Sequence, residues 1–169
     1  MLGVLDYNMG NLGSVLNACA LIGADVKLMT RADELEGLDG LIVPGQGAFR
    51  DCMGHLREHG FVAPLREWIA ADKPFLGICM GLQLLFDASE ESPGEDGLCV
   101  LPGTVRRFAD HEERKVPQMG WNRVEWSVSE DPVFAPELNG KHFYFVHSYH
   151  VQDSDADWLR EKRTMGRGT

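Results

Sequence analysis

Residues 77–81 read Gly-Ile-Cys-Met-Gly, after an apolar run and before helix-like spacing. This is the spacing of a nucleophile elbow, more often written with serine. A nucleophile held at a sharp strand-to-helix turn has a tight backbone, and side chains two positions away would crowd it. Gly77 and Gly81 relieve that crowding. A helix starting at Met80 aims its N–H groups and positive end at the sulfur, which favours thiolate. The Met80 amide is then placed to bind a developing oxyanion. The expected chemistry is nucleophilic catalysis by Cys79. The competing reading, an unpaired cysteine filling the core, is adopted for Cys19, Cys52 and Cys99.

The elements that must hold this cysteine alternate. "LGVLDY", "DVKLMT", "DGLIVPG" and "PFLGIC" are short apolar runs expected to be strands. "NLGSVLNACALIG", the stretch 51–71 (interrupted at Gly60 and Pro64) and "MGLQLLFDAS" have helical spacing. Such alternation predicts an α/β fold, a three-layer, mostly parallel sheet flanked by helices. In these sheets chemistry gathers at the C-terminal strand ends, where "DYNMGNL", "PGQG" and "GICMG" all fall. The second half changes style. "VRRF", "NRVEW" and "KHFYFVHSYHV", divided by prolines, predict a more antiparallel layer.

The 169 residues suit one domain, and 44% hydrophobic content suffices for a core. A net charge of -10 excludes the basic footprint of a nucleic-acid binder. No apolar stretch approaches the ~18 residues of a membrane span. The start, "MLGVLDYNMG", lacks the basic region of a signal peptide, so a cytoplasmic location is expected. The four cysteines show no C-x-x-C pair and no Cys/His cluster at metal spacing, so reduced thiols, no metal site and no cofactor are expected.

The chain resembles the class I, triad-type glutamine amidotransferases. More narrowly it resembles the glutaminase subunits of imidazole glycerol phosphate synthase, from histidine biosynthesis. Besides the elbow, "DYNMGNL" at 6–12, "PGQGAF" at 44–49, "SEESPGEDGL" at 89–98, "PQMGWN" at 117–122 and "FYFVHSY" at 143–149 carry the likeness. It implies that Cys79 attacks the side-chain amide of glutamine, forming a glutamyl thioester and releasing ammonia. It implies oxyanion donors from the backbone of Gly45, Gln46 and Met80. Gln46 stands where the family usually has a smaller or apolar residue, which a backbone role tolerates. Gly47, Gln83, Glu91, Ser148 and Tyr149 match substrate contacts, Glu91 suiting the ammonium and the amides near Ser148 and Tyr149 the carboxylate. Without the likeness, P-G-Q-G is a plain turn and Glu91 a solvated acid. The implied partner is a (β/α)8-barrel cyclase forming a heterodimer. Asn11 and Tyr144 match residues near the ammonia passage, and Gln118, Met119 and Trp121 match a segment facing the partner.

The family's base and orienting acid come from a late H-P-E motif, and none of the six histidines here precedes Pro-Glu. The amidotransferase domain is expected over residues 1–151, with 152–169 an unmatched tail such as a frame slip or premature end produces. Negligible glutaminase activity is expected of these 169 residues, because loss of a triad base costs several orders of magnitude. The alternative reading is a non-catalytic amidotransferase-like module that binds the cyclase. A cysteine hydrolase of the DJ-1/PfpI type is a further one, though it would not carry "DYNMGNL" or "PQMGWN".

Overall fold

Leu2–Leu5 (β1), Val26–Met29 (β2), Gly40–Val43 (β3) and Phe75–Gly77 (β4) are short runs rich in apolar residues. In the computed structural model they form one parallel sheet in the order β2-β1-β3-β4. The structure describes residues 1–110, 115–125 and 136–151. The expected tail, 152–169, lies outside the described residues. Two compact units divide the chain, Met1–Arg106 and Arg107 onward.

Helices fill the first unit's crossovers. Leu12–Leu21 (α1) is capped by Asn11, whose side chain accepts from the Ser14 N–H at 3.1 Å. Its Cys19 packs with Val4 and Ile42, joined by Leu12, Val15 and Leu16, so α1 covers one sheet face. All four residues of β3 are buried, as expected of a strand covered on both faces. Phe49–Glu58 (α2) buries Phe49, Cys52, Met53 and Leu56, a single stripe at helical spacing. Burying each large side chain contributes about 1.5–3 kcal/mol.

Three expectations need correction. Pro64 does not interrupt a helix; it lies in the first turn of Val62–Ala70 (α3), where its missing N–H would have no intrahelical partner anyway. The helix after the elbow, Met80–Gln83 (α4), is only four residues, and Phe86–Ser89 (β5) is a strand paired in parallel with Leu101–Arg107 (β6). The cause is competition for carbonyls. The amides of Leu98, Val100 and Cys99 bond the carbonyls of Leu84, Leu85 and Phe86, so the helix cannot continue. Cys99 is exposed in this turn with φ 49°, not a core thiol.

The second unit contains Gln118–Arg123 (β7), His142–His147 (β8) and Tyr149–Val151 (β9). β7 and β8 form an antiparallel ladder from Gln118↔His147 to Arg123↔His142, matching the expected antiparallel layer. Burial holds the His147 imidazole below its usual pKa. A depressed folded value means protonation favours the unfolded chain. This contribution to stability is complete above the unfolded value of ~6.5 and is lost as pH falls through the folded one. An NMR titration of the His147 ring should find its midpoint below ~6.5.

Candidate active site

The strand order decides the site. β1, β3 and β4 are neighbours, so the loops leaving their C-terminal ends lie side by side. These are the three loops that carry Asn11, Gly45–Gly47 and Cys79.

Cys79 has φ 55° and ψ −110°, a conformation that non-glycine residues rarely hold. The turn is kept by close backbone packing. A Cβ on Gly77 would stand 2.6 Å from the Gly81 carbonyl oxygen, and one on Gly81 only 1.9 Å from that of Val43 in β3. The elbow is therefore pressed against its own strand and the next. The 44–47 loop is pressed on it in turn, since a Cβ on Gly45 would lie 2.7 Å from the Gly81 nitrogen and 2.7 Å from the Met80 Cβ. Among the described residues, the N–H groups of Gly45, Gln46 and Met80 make no backbone hydrogen bond. These are the three donors expected from the sequence. Asn11, Pro44, Gly45, Gln46, Ile78 and Cys79 line a cavity of about 270 Å³ with Ser14 and Val15.

The electrostatics differ from expectation. Burial pushes the Cys79 thiol above its ordinary pKa, the Met80 N–H draws it down, and the negative charge of Glu91 adds to the rise. Cys79 is exposed, so this desolvation is partial. Among the described residues, no histidine nitrogen hydrogen-bonds the sulfur. Alkylation of Cys79 by a neutral thiol reagent should accordingly rise with pH toward a midpoint above the ~8.5 of free cysteine. A midpoint below that value would show activation by a group that this reading misses.

Glu91 is not a solvated acid. Its Oε2 accepts from the Phe49 N–H at 2.8 Å, and the Ser92 hydroxyl accepts from the Arg50 N–H at 3.2 Å, so both cap the start of α2. Gln83 is buried in α4 at 8% exposure, and its carboxamide has no hydrogen-bond partner among the described residues. Gln46 and Gly47 are exposed. Ser148 and Tyr149 belong to the second unit, where the Ser148 carbonyl accepts from the Phe108 N–H at 3.0 Å.

Sequence reasoning missed Tyr7. It is fully buried, and its hydroxyl donates to the Pro44 carbonyl at 2.9 Å, tying the β1 loop to the 44–47 loop. Burial drives its phenol far above the ordinary value, so it stays a donor. Its only sequence signal is a tyrosine closing an apolar strand. Tyr7→Phe leaves the buried Pro44 carbonyl unpaired and should cost about 1–3 kcal/mol in urea unfolding.

The second unit divides the expected partner residues. On the β7–β8 ladder, Met119, Trp121, Tyr144 and Val146 share one exposed face, with Trp121 and Tyr144 directly paired and their rings edge-to-face at 5.6 Å. Gln118 points to the other face, with Phe145 and His147, because strand side chains alternate.

The family model described as glutamine amidotransferase class-I matches residues 3–164. The chain belongs to the class-I glutamine amidotransferases. Among the curated relatives of this amidotransferase is the imidazole glycerol phosphate synthase subunit HisH of Synechococcus sp. (strain JA-2-3B'a(2-13)), 41% identical over 168 residues, covering 99% of this chain and 77% of the relative. The subunit of the same name from Sulfurimonas denitrificans is 44% identical over 170 residues, covering 99% and 79%. That of Chromobacterium violaceum is 46% identical over 161 residues, covering 90% and 74%. A crystal structure of a glutamine amidotransferase superposes with TM-score 0.70 at 25% identity, over 90% of this chain and 74% of that one. The likeness drawn from the elbow and "PQMGWN" is thereby supported along the whole match, and the α/β fold with it.

Proposed function

We propose that this amidotransferase is the glutaminase subunit of an imidazole glycerol phosphate synthase. It takes ammonia from glutamine through a Cys79 thioester and passes it to a cyclase subunit. One observation carries the chemistry: a strained cysteine at a strand-to-helix turn, with the Met80 N–H on its sulfur and Gly45 and Gln46, whose amides make no backbone bond, lining the same cavity. Cys79 Sγ attacks the carboxamide carbon, the carbonyl oxygen takes negative charge, and the Gly45, Gln46 and Met80 amides meet it. The tetrahedral intermediate collapses to the thioester as ammonia leaves, and water then releases glutamate. Gln83 in α4 offers its unpaired carboxamide to the substrate, and Gly47, in the loop after β3, is a further contact. Glu91 keeps one carboxylate oxygen on α2 and has the other for the ammonium.

The raised Cys79 pKa, with no imidazole bonded to the sulfur among the described residues, fits the expectation of negligible turnover by these 169 residues. No helix among the described residues is long and apolar enough to cross a membrane, and a cytoplasmic setting fits the biosynthetic role. The curated relatives are named as synthase subunits, and the apolar face of the β7–β8 ladder suits a partner. Trp121, 69% exposed and backed by Tyr144, is the candidate anchor. Trp121→Ala should weaken binding to the cyclase by about 2 kcal/mol or more, near thirty-fold, in a calorimetric titration. Gln118→Ala, on the other face, should change it far less.

The decisive experiment is incubation with a glutamine-analogue alkylator, diazo-oxo-norleucine, followed by peptide mapping. Label on Cys79, blocked by glutamine, supports the reading. Cyclase binding without any label would instead favour a non-catalytic module.

A further inference from the structure

The expectation of no metal site rested on the lack of a C-x-x-C pair and of a Cys/His cluster at metal spacing, and the histidines of α2 tell a different story. His55, Glu58 and His59 come from one helix, at i, i+3 and i+4, so they share a face at its C-terminal end. One ligand atom from each lies within 4.8 Å of the others. The pairing of two histidines one turn apart is the spacing with which a helix presents imidazoles to zinc.

The ring nitrogens are already sorted. His59 Nδ1 stands 2.9 Å from the His55 carbonyl oxygen. A carbonyl only accepts, so Nδ1 carries the proton and Nε2 presents its lone pair. Metal-bound histidines are held in just this way, with the second ring N–H on a backbone carbonyl. His59 Nε2 meets the Asn8 carboxamide nitrogen at 3.2 Å, consistent with a lone pair there. His55 Nδ1 is buried and has no hydrogen-bond partner. It is 3.7 Å from Glu58 Oε2, too long for a hydrogen bond. Two ligands each ~2.0–2.1 Å from one tetrahedral zinc stand roughly 3.3 Å apart, so small side-chain rotations suffice.

The surroundings are open and lean negative. His55 and Glu58 line a surface hollow of about 520 Å³ with Met9, Arg50, Asp51 and Gly54. The Arg50 guanidinium is engaged elsewhere, donating to the Pro93 carbonyl at 3.2 Å and lying 4.0 Å from Glu95.

We infer that His55, Glu58 and His59 form a binding site for a divalent transition-metal ion of the zinc class, with water completing the coordination. Imidazole and carboxylate donors without thiolate suit zinc, nickel or copper over calcium or magnesium. Three protein ligands leave a position open to water or another ligand. Metal on His59 Nε2 displaces Asn8, so the ion competes with a tether between α2 and the β1–α1 loop. That loop also carries Tyr7 and Asn11.

The test is a zinc titration of the full chain, free of any histidine tag, followed by calorimetry, with cobalt as an optical probe. One ion per chain is expected, and the cobalt spectrum should lack a sulfur-to-metal charge-transfer band. His59→Gln and Glu58→Gln should each weaken binding at least ten-fold. Asn8→Gly, which suits the φ of 65° there and removes the competing amide, should tighten it several-fold. Because these positions lie at the surface end of α2 and in its neighbouring loop, circular dichroism should show folded variants. Zinc affinity unchanged in both α2 variants, or a thiolate-type cobalt spectrum, would overturn the assignment, as would weaker binding by Asn8→Gly.

Discussion

Replacing Cys79 by alanine will abolish covalent labelling by the glutamine analogue and leave no site that substitutes for it. Whatever ammonia release the chain supports alone or with a cyclase will fall by on the order of 10⁴ or more, the usual cost of deleting a covalent nucleophile. The physical ground is that the other thiols are out of play. Cys19 and Cys52 are buried, and burial pushes the Cys52 thiol up to about 11. Cys99 is exposed but sits in the turn after β5, its Sγ 3.5 Å from the Gly97 carbonyl oxygen. It has no elbow and no ring of unbonded amides. Alanine keeps the Cβ, so the backbone strain at φ 55° is unchanged and stability should stay close to that of the parent. Peptide mapping with ammonia assays in parallel checks both halves. Labelling at another cysteine in the alanine variant would remove Cys79 from its role.

Gly81→Ala is expected to be the most damaging single methyl in the chain. Its Cβ would sit 1.9 Å from the Val43 carbonyl oxygen, a backbone atom in the buried third strand. No side chain can rotate away to make room. Either β3 and β4 separate, or the elbow shifts and Cys79 loses its conformation. The expected cost is about 3 kcal/mol, the top of the overpacking range, or more. Analogue labelling should be lost even in the fraction that stays folded. Denaturant unfolding and labelling of the same preparation separate the two effects. Gly54→Ala, at an open position on α2, is the matched control and should be neutral or mildly stabilising. Near-native stability of Gly81→Ala would show that the close approach is not required.

The elbow was legible in the sequence because its demands are local. A strand, a nucleophile and two glycines at fixed spacing describe a backbone that few other arrangements need. The alternation of apolar runs and helical periodicity likewise disclosed a parallel sheet, and the strand-end rule placed the three loops at one edge. Expectations failed where distant chain segments compete. The stretch "MGLQLLFDAS" has helical spacing, yet amides from residues 98–100 take the carbonyls that a longer helix would use. "PQMGWN" reads as one partner-facing segment, yet alternation turns Gln118 away from Met119 and Trp121.

By itself, the sequence determined the elbow, the fold class and the family, since each rests on residue types at short, fixed intervals. Tertiary structure alone decided the electrostatics and the supports. Partial burial raises the Cys79 thiol, Glu91 is drawn onto the start of α2, and Tyr7 reaches the Pro44 carbonyl at the end of the neighbouring strand. Such contacts join residues up to 42 positions apart. Their energies depend on which atoms water can still reach, and only the folded chain sets that.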